Sequence, residues 1–261
     1  YLTRLQEGNP LGSIYGFRYK GVYQYSYEKY DPESGVTNCP VARDADGNVM
    51  TDYDGNPRKM YYRYNSTKYQ FQGGDAIYED VNHDGSIDEY DVVYLGSSNP
   101  KLTGGFGMTL RYATFSLTAF CNFRYGNKII NMARMNAENM YNGNNQCTTV
   151  NWRWRKEGDL TDVPRAVYMQ GYNWLGSDRY VENGSFLRLK YVTVRYTVPS
   201  KAVKSWGLSQ LSFYLTMKNL FCITKYSGAD PEINTSGFGV STDNSATPVS
   251  KDWTAGVTVS F

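Results

Sequence analysis

The chain has 261 residues, a formal net charge of +2 and one histidine, a balance that points neither to nucleic acid nor to an acidic partner and leaves room for one or two domains. Tyr and Gly each number 25 and aromatics reach 16%; with a negative mean hydropathy, this suits a strand-rich protein with long polar loops. No run approaches the roughly 20 apolar residues of a membrane helix. A helical membrane protein is thereby excluded, whereas a β-barrel stays open because its strands show only alternation.

The opening residues include no Met, basic n-region or apolar h-region, so no signal peptide is expected, and the chain reads as a mature form or a piece of something longer. Cys39, Cys121, Cys147 and Cys222 lack C-x-x-C spacing, which argues against zinc and redox roles and leaves a Cys39 to Cys147 disulfide open. With His83 alone, neither a Ser/His/Asp triad nor a multi-His metal site can be built.

From Leu11 to Tyr27 the tyrosines fall largely on one phase, which predicts a long strand with an irregularity near Gly21. Pro32 ends it. The Asp44-Ala45-Asp46-Gly47-Asn48 run recurs eight residues on as Asp52-Tyr53-Asp54-Gly55-Asn56; Asp-Gly pairs favour tight hairpin turns, and neither repeat carries a full calcium ligand set.

The segment from Asp80 to Asp91 carries more. Asp80, Asn82, Asp84, Asp88 and Asp91 fall at loop positions 1, 3, 5, 9 and 12, Gly85 sits at the sharp turn, and Ser86 can offer its carbonyl. Ca²⁺ needs six to eight hard oxygens, which this spacing can supply. Asp91 stands where the usual pattern has a bidentate Glu, as in dockerin-like calcium loops; the alternative is an acidic loop rich in Asx turns with no ion. His83 should point away from such an ion.

Gly105–Tyr112 and Thr114–Tyr125 alternate apolar with polar residues, broken only at Phe120, across a very short connection. They predict an antiparallel hairpin whose second strand has the roughly 9 to 11 residues of a tilted membrane strand, longer than the soluble average. Cys121 falls on the apolar phase, buried or facing lipid. Gly126–Gly184 is long and polar, with a short loop helix at most over Ile129–Met140. Its cluster Trp152, Arg153, Trp154 and Arg155 could stack on sugar rings or hold a partner protein, against packing within a large loop as the commoner role. In Phe186–Val198 the apolar phase slips at Tyr191/Val192, which predicts a β-bulge. Leu211–Phe221 alternates again, Gly228–Asp252 is loop, and Trp253–Phe261 alternates to the final residue. An aromatic held in register at that position suits a last strand with one face to lipid and the other to a lumen.

Several separate stretches resemble the SusC/RagA family of TonB-dependent outer-membrane transporters. They are Gly74-Asp75-Ala76-Ile77-Tyr78-Glu79-Asp80 running into the acidic loop, Gly96–Gly105 with Pro100, Asn183-Gly184-Ser185-Phe186-Leu187-Arg188-Leu189-Lys190, Asn219-Leu220-Phe221 before Tyr226-Ser227-Gly228-Ala229-Asp230-Pro231-Glu232, and Trp253–Phe261. The resemblance implies the C-terminal part of a 22-stranded barrel whose plug and N-terminal strands lie elsewhere. The expected fold is all-β: residues 1–261 as one antiparallel barrel portion of about six strands with long extracellular loops. It also implies uptake of oligosaccharides or peptides across the outer membrane of a Gram-negative bacterium, driven by the TonB system and shared with a SusD-like surface lipoprotein. Short turns at Tyr112–Thr114 and Pro199–Gly207 would then be periplasmic. The rival readings are a soluble calcium-binding β-domain of a surface adhesin or glycan-binding protein, which should bury one strand face on a second sheet, and a glycan-active enzyme, for which no carboxylates are placed opposite one another. The expectation is a transporter and not an enzyme.

Overall fold

The computed structural model describes residues 1, 6–34, 36–233 and 239–261. The chain divides into two units: a wall unit of Ser98–Ile129, Asn183–Asn234 and Ser245–Phe261, and a loop unit of Tyr1–Ser97, Ile130–Glu182 and Thr235–Asn244.

In the wall unit, β1 (Leu102–Tyr112), β2 (Phe115–Tyr125), β3 (Phe186–Thr197), β4 (Gln210–Lys218), β5 (Cys222–Thr224) and β6 (Asp252–Ser260) form one sheet in the order β6-β4-β3-β2-β1, with β5 paired to β3 beyond the end of β4. Every pairing in it is antiparallel. The β1–β2 turn is tight, with Ala113 in the left-handed region at φ 50°. The β3–β4 connection contains the short helix α2 (Ser200–Lys204), whose Val203 is fully buried. Among the described residues of this unit no second sheet packs on either face, in contrast to a soluble sandwich.

The expected bulge is present, one residue earlier than the alternation indicates. Leu189 pairs with Cys121 and Tyr191 with Phe120, so Lys190 is surplus. Tyr191 thereby joins the polar face, where it stacks on Phe120 at 5.8 Å and 17°, and the two aromatics that seem out of phase explain each other. The opposite neighbour is irregular at the same level: Lys218 pairs with Tyr191 and Cys222 with Arg188, and Asn219 between them adopts φ 52°.

The loop unit is built from short pieces. Ser13–Gly16 pairs with Val93–Ser97, Tyr19–Val22 with Ala76–Tyr78, and Tyr61–Tyr64 both with Thr67–Gln70 and, in parallel, with Ser86–Ile87. The expected long strand over Leu11–Tyr27 is therefore corrected to two short ones, because the backbone leaves the ladder at Phe17, which bridges to Ser177. Tyr15 and Tyr23 on its apolar phase are buried in the loop unit; Tyr23 packs with Met60, Phe71, Tyr78, Ile87 and Leu175. The two Asp-Gly repeats are tandem turns of one design. Asp44 Oδ1 accepts from Asp46 N at 3.0 Å and Asn48 N at 2.8 Å, and Asp52 Oδ1 accepts from Asp54 N and Asn56 N at the same distances. The short helix α1 (Met132–Glu138) is capped by the Asn131 side chain accepting from Arg134 N at 2.9 Å. All four cysteines are free thiols, so the Cys39–Cys147 bridge is absent.

Asp75 is the polar centre of the loop unit. Fully buried, it accepts from Arg165 Nε at 2.7 Å, Tyr69 OH at 2.8 Å, Gln72 N at 2.8 Å and Asn173 Nδ2 at 3.2 Å. Asn173 in turn accepts from Ala76 N at 2.8 Å, which ties residues about 90 positions apart in sequence into one network. Removing one partner of a buried ion pair strands the other charge, so Arg165→Ala should destabilise the loop unit by on the order of 3 kcal/mol. Arg165→Lys should recover only part of this, since an ammonium cannot reproduce the guanidinium fork. Limited proteolysis of the protein across a denaturant series measures both variants.

Candidate functional site

The register sorts the wall into two faces, because residues paired across antiparallel strands share a side. On one face the rows read Leu110–Leu117–Val194–Leu215–Ala255, Met108–Ala119–Val192–Met217–Trp253 and Tyr112–Phe115–Tyr196–Phe213–Val257. Met108, Leu117, Leu215 and Val257 thus lie together on one face. Large apolar side chains on this face stand exposed, Met108 at 54% and Val257 at 57%. The 11 residues of β1, at about 3.3 Å each and tilted about 45°, span roughly 26 Å, close to the apolar band of a membrane barrel. Aromatics mark both ends, with Tyr112, Phe115, Tyr196 and Phe213 near the turns and Phe123 and Tyr125 near the long connections. Such girdles belong at the two interfaces of a bilayer.

The opposite face is polar. One row consists of threonine alone, Thr109–Thr118–Thr193–Thr216–Thr254, with hydroxyl contacts of 3.2 Å between Thr109 and Thr118 and 2.9 Å between Thr193 and Thr216. Beside it, aromatic rings lie over glycines. A Cβ on Gly107 would meet the Phe120 ring at 3.1 Å, and one on Gly256 the Tyr214 ring at 2.3 Å, so a smaller residue is required under each ring. Arg124 and Lys218 lie on this side, as expected for a lumen. Near the bulge, Arg188 is buried and its guanidinium meets Asp230 and Glu232, while Lys190 Nζ lies 2.9 Å from Glu232. Asp230 also accepts from Glu232 N at 2.9 Å and Val249 N at 3.3 Å. The surplus residue of the bulge thus supplies the second cation of a four-residue ionic cluster that fastens the Asp230-Pro231-Glu232 segment to the wall. Within the expected Gly228–Asp252 loop, positions 234–238 lie outside the described residues.

The acidic loop gathers its expected residues into one turn, with their oxygens directed at the loop's own amides. Asp80 accepts from Gly85 N at 2.8 Å and Asp84 N at 3.2 Å, Asn82 from Asp84 N at 3.2 Å, and Asp84 from Ser86 N at 2.8 Å. Asp88 caps Tyr90 N at 2.8 Å, and buried Asp91 takes Val81 N at 2.7 Å and Asp88 N at 2.9 Å. Among the described residues no group of three His, Cys, Asp or Glu is gathered in a metal-holding arrangement. Burial pushes the Asp91 carboxyl up to about 6, with the nearby Asp80 and Asp88 charges adding to it against the pull of the capping amides. Asp80 is raised also, first by burial and then by Asp84. His83 is exposed.

The Trp152–Arg155 cluster divides. Trp154 packs over Gly74, where a Cβ would meet its ring at 2.2 Å. Trp152 is 77% exposed, and the Arg153 and Arg155 side chains turn back to the Val150 and Asn151 carbonyls at 3.2 and 2.8 Å. Packing against Gly74 thus accounts for Trp154, and local hydrogen bonds orient Arg153 and the exposed Arg155. Sequence reasoning missed the Asp75 network and the Arg188–Asp230 cluster; their only signal is that both lie in the stretches that carry the family resemblance.

No family model matches the chain. It is similar to three TonB-dependent receptors of Formosa agariphila. Receptor P3 is 30% identical over 230 residues, covering 88% of this chain and 19% of that receptor; P39 is 25% identical over 251 residues, covering 89% and 23%; P26 is 33% identical over 159 residues, covering 61% and 16%. Among solved structures it is similar to the RagAB peptide transporter, at 23% identity and a TM-score of 0.66 over 95% of this chain and 22% of that one. It is also similar to the RagAB peptide importer in the closed-closed state, at a TM-score of 0.61 over 99% and 25%. These structures share the fold, and with it the two-faced sheet is a segment of a transmembrane β-barrel wall. Spanning about a fifth of the length of its curated relatives, the chain belongs to the TonB-dependent receptors.

Proposed function

We propose that this segment is part of a receptor in the outer membrane of a Gram-negative bacterium that imports bulky nutrients, oligosaccharides or peptides, with energy from the TonB system and a SusD-like surface lipoprotein as partner. The observation that carries this is the sorting of faces: an exposed apolar face beside an uncharged hydroxyl row is what a strand wall needs between lipid and an aqueous lumen. The similarity to proteins named TonB-dependent receptors supports the energy source, and that to RagAB, described as a peptide transporter, supports bulky cargo. In this reading the turn at Ala113 and the α2 connection face the periplasm. The acidic loop, the Trp152–Arg155 segment and the 228–252 connection face outward, where the lipoprotein docks. The segment works by shape and charge, with no chemical step.

Two experiments on the whole receptor test this reading. Arg at Leu117 or Leu215, near the centre of the apolar band, should cost about 2 to 4 kcal/mol and reduce the heat-modifiable barrel on gels, whereas Arg124→Ala and Lys218→Ala should leave assembly intact. Equal loss from both sets removes the membrane reading. Growth on single oligosaccharides or peptides should fail for at least one when the receptor or TonB is deleted; unchanged uptake of all of them refutes transport.

We further propose that Asp80, Asn82, Asp84, Asp88 and Asp91, with the Ser86 carbonyl, hold one structural Ca²⁺ after the side chains turn from their amides, at an affinity of about 10⁻⁴ to 10⁻³ M. The raised Asp91 pKa fixes the sign of the cation-free behaviour. The folded loop holds this proton more tightly than the unfolded loop, so its contribution is present below the ordinary value of 3.8 and is lost as pH rises through about 6. Without cation the loop should therefore resist protease better at pH about 4 than at pH about 7. Millimolar Ca²⁺, but not Mg²⁺, should restore resistance at the higher pH, and Asp84→Ala with Asp88→Ala should abolish the rescue. Equal cleavage with and without Ca²⁺ leaves an acidic turn with no ion.

A further inference from the structure

The Tyr61–Tyr64 strand and the turn after it border two adjoining hollows of the loop unit. The first, about 210 Å³, is walled by Phe17, Tyr62, Tyr64 and Trp174, with Asp88 and Glu89 at its edge. Its wall is rigid: Tyr62 stacks on Tyr172 at 4.0 Å and 24°, and Tyr172 on Trp174 at 6.3 Å and 26°. The second, about 190 Å³, shares Tyr64, Asp88 and Glu89 and adds Arg63 and Asn65. Tyr64 is half exposed and is followed by Asn65 at φ 51°, the tight turn that holds its ring between the two hollows. Among the described residues the Arg63 and Glu89 side chains face this space with neither a hydrogen bond nor an ion pair, the Arg63 guanidinium lying 5.6 Å from the Tyr61 ring, while the Asp88 side chain caps Tyr90 N and Asp91 N.

We propose that the two hollows are a subsite for two consecutive rings of a neutral glycan, a reading that rests on the import function only for its setting. A cavity of about 150 Å³ accommodates benzene, so each hollow suits one six-membered ring. Aromatic walls meet the apolar C–H faces of such a ring, and the few polar groups fix its orientation. The polar set separates ligand classes. Glu89 accepts hydrogen bonds, Arg63 donates them and the Asn65 amide does both, which matches ring hydroxyls that also do both. A lysine or arginine side chain of a peptide would satisfy the carboxylates but meet the Arg63 charge, and an anionic sugar would meet Glu89.

The test is calorimetric titration of the purified whole receptor with cellobiose, maltose and laminaribiose, with lysyl-lysine as the peptide probe. At least one disaccharide should bind saturably. Tyr64→Ala should weaken it about tenfold, the equivalent of about 1.4 kcal/mol, and Glu89→Gln should weaken it severalfold, whereas Tyr64→Phe should bind like the parent. Thermal melting should be unchanged, since both side chains are exposed. No saturable binding of any of the three, binding indifferent to both Tyr64→Ala and Glu89→Gln, or saturable lysyl-lysine binding lost in Glu89→Gln overturns the proposal. TonB-dependent uptake that persists without this binding overturns the subsite alone; disaccharide binding in a receptor that transports nothing overturns the import function alone.

Discussion

Backbone hydrogen bonding in hydrocarbon is the constraint on which the rest depends. With no water to accept an unpaired N–H or solvate a carbonyl, a wall strand must bond to both neighbours along its membrane-spanning length. That requirement fixes the register, and the register, through the period of two, fixes which side chains meet lipid. The row Leu110–Leu117–Val194–Leu215–Ala255 and the threonine row beside it are therefore two results of one set of pairings. The apolar face needs no partner within the chain, which is why Met108 and Val257 stand more than half exposed.

The loop unit meets the opposite problem. It is made of short strands and turns that bury little apolar surface each, and it uses directional contacts instead. Asp75 collects donors from Tyr69, Gln72, Arg165 and Asn173, and Glu138 receives both Arg134, at 2.8 Å, and Arg179, at 3.2 Å. Such buried charge is costly unless completely paired, so it specifies one arrangement of segments that apolar packing alone would leave interchangeable. Tyrosines serve the same end: Tyr78 lies in the core with its hydroxyl 3.0 Å from the Tyr172 carbonyl and 3.1 Å from Leu175 N.

Where the controlling physics is local, the sequence was legible. The β1–β2 hairpin, the paired Asp-Gly turns, the short α1 helix and a bulge in β3 all follow from alternation and turn chemistry within about ten residues. The bulge was misplaced by one position because Tyr191 is apolar enough to fit either face; its stacking on Phe120, 71 residues away in sequence, decides the matter. Leu11–Tyr27 reads as one long strand for a similar reason: tyrosine alternation is the same in a continuous strand and in two short ones, and the bridge from Phe17 to Ser177 is invisible locally. At the candidate site, the grouping of Asp80 to Asp91 was legible from spacing, but the use of their oxygens as caps was not. Nor was the Arg188–Asp230 pairing, which depends on a loop folding back over 42 residues.

The bulge also gives the wall a shape. Between the rungs at Tyr191 and Arg188, β1 and β2 each contribute one residue, Phe106 and Cys121; β3 contributes two, Leu189 and Lys190; and the β4–β5 passage contributes three, Asn219, Leu220 and Phe221. Contour length thus grows by one residue, about 3.3 Å, from β2 to β3 and again from β3 to β4–β5, while the rungs above and below stay paired. A ribbon with a longer margin on one side cannot lie straight. It must fan or buckle there, like cloth with a gusset sewn in, and the Arg188–Lys190 cations sit on the gusset. The residue count alone therefore builds a local bend into the loop-proximal part of the wall.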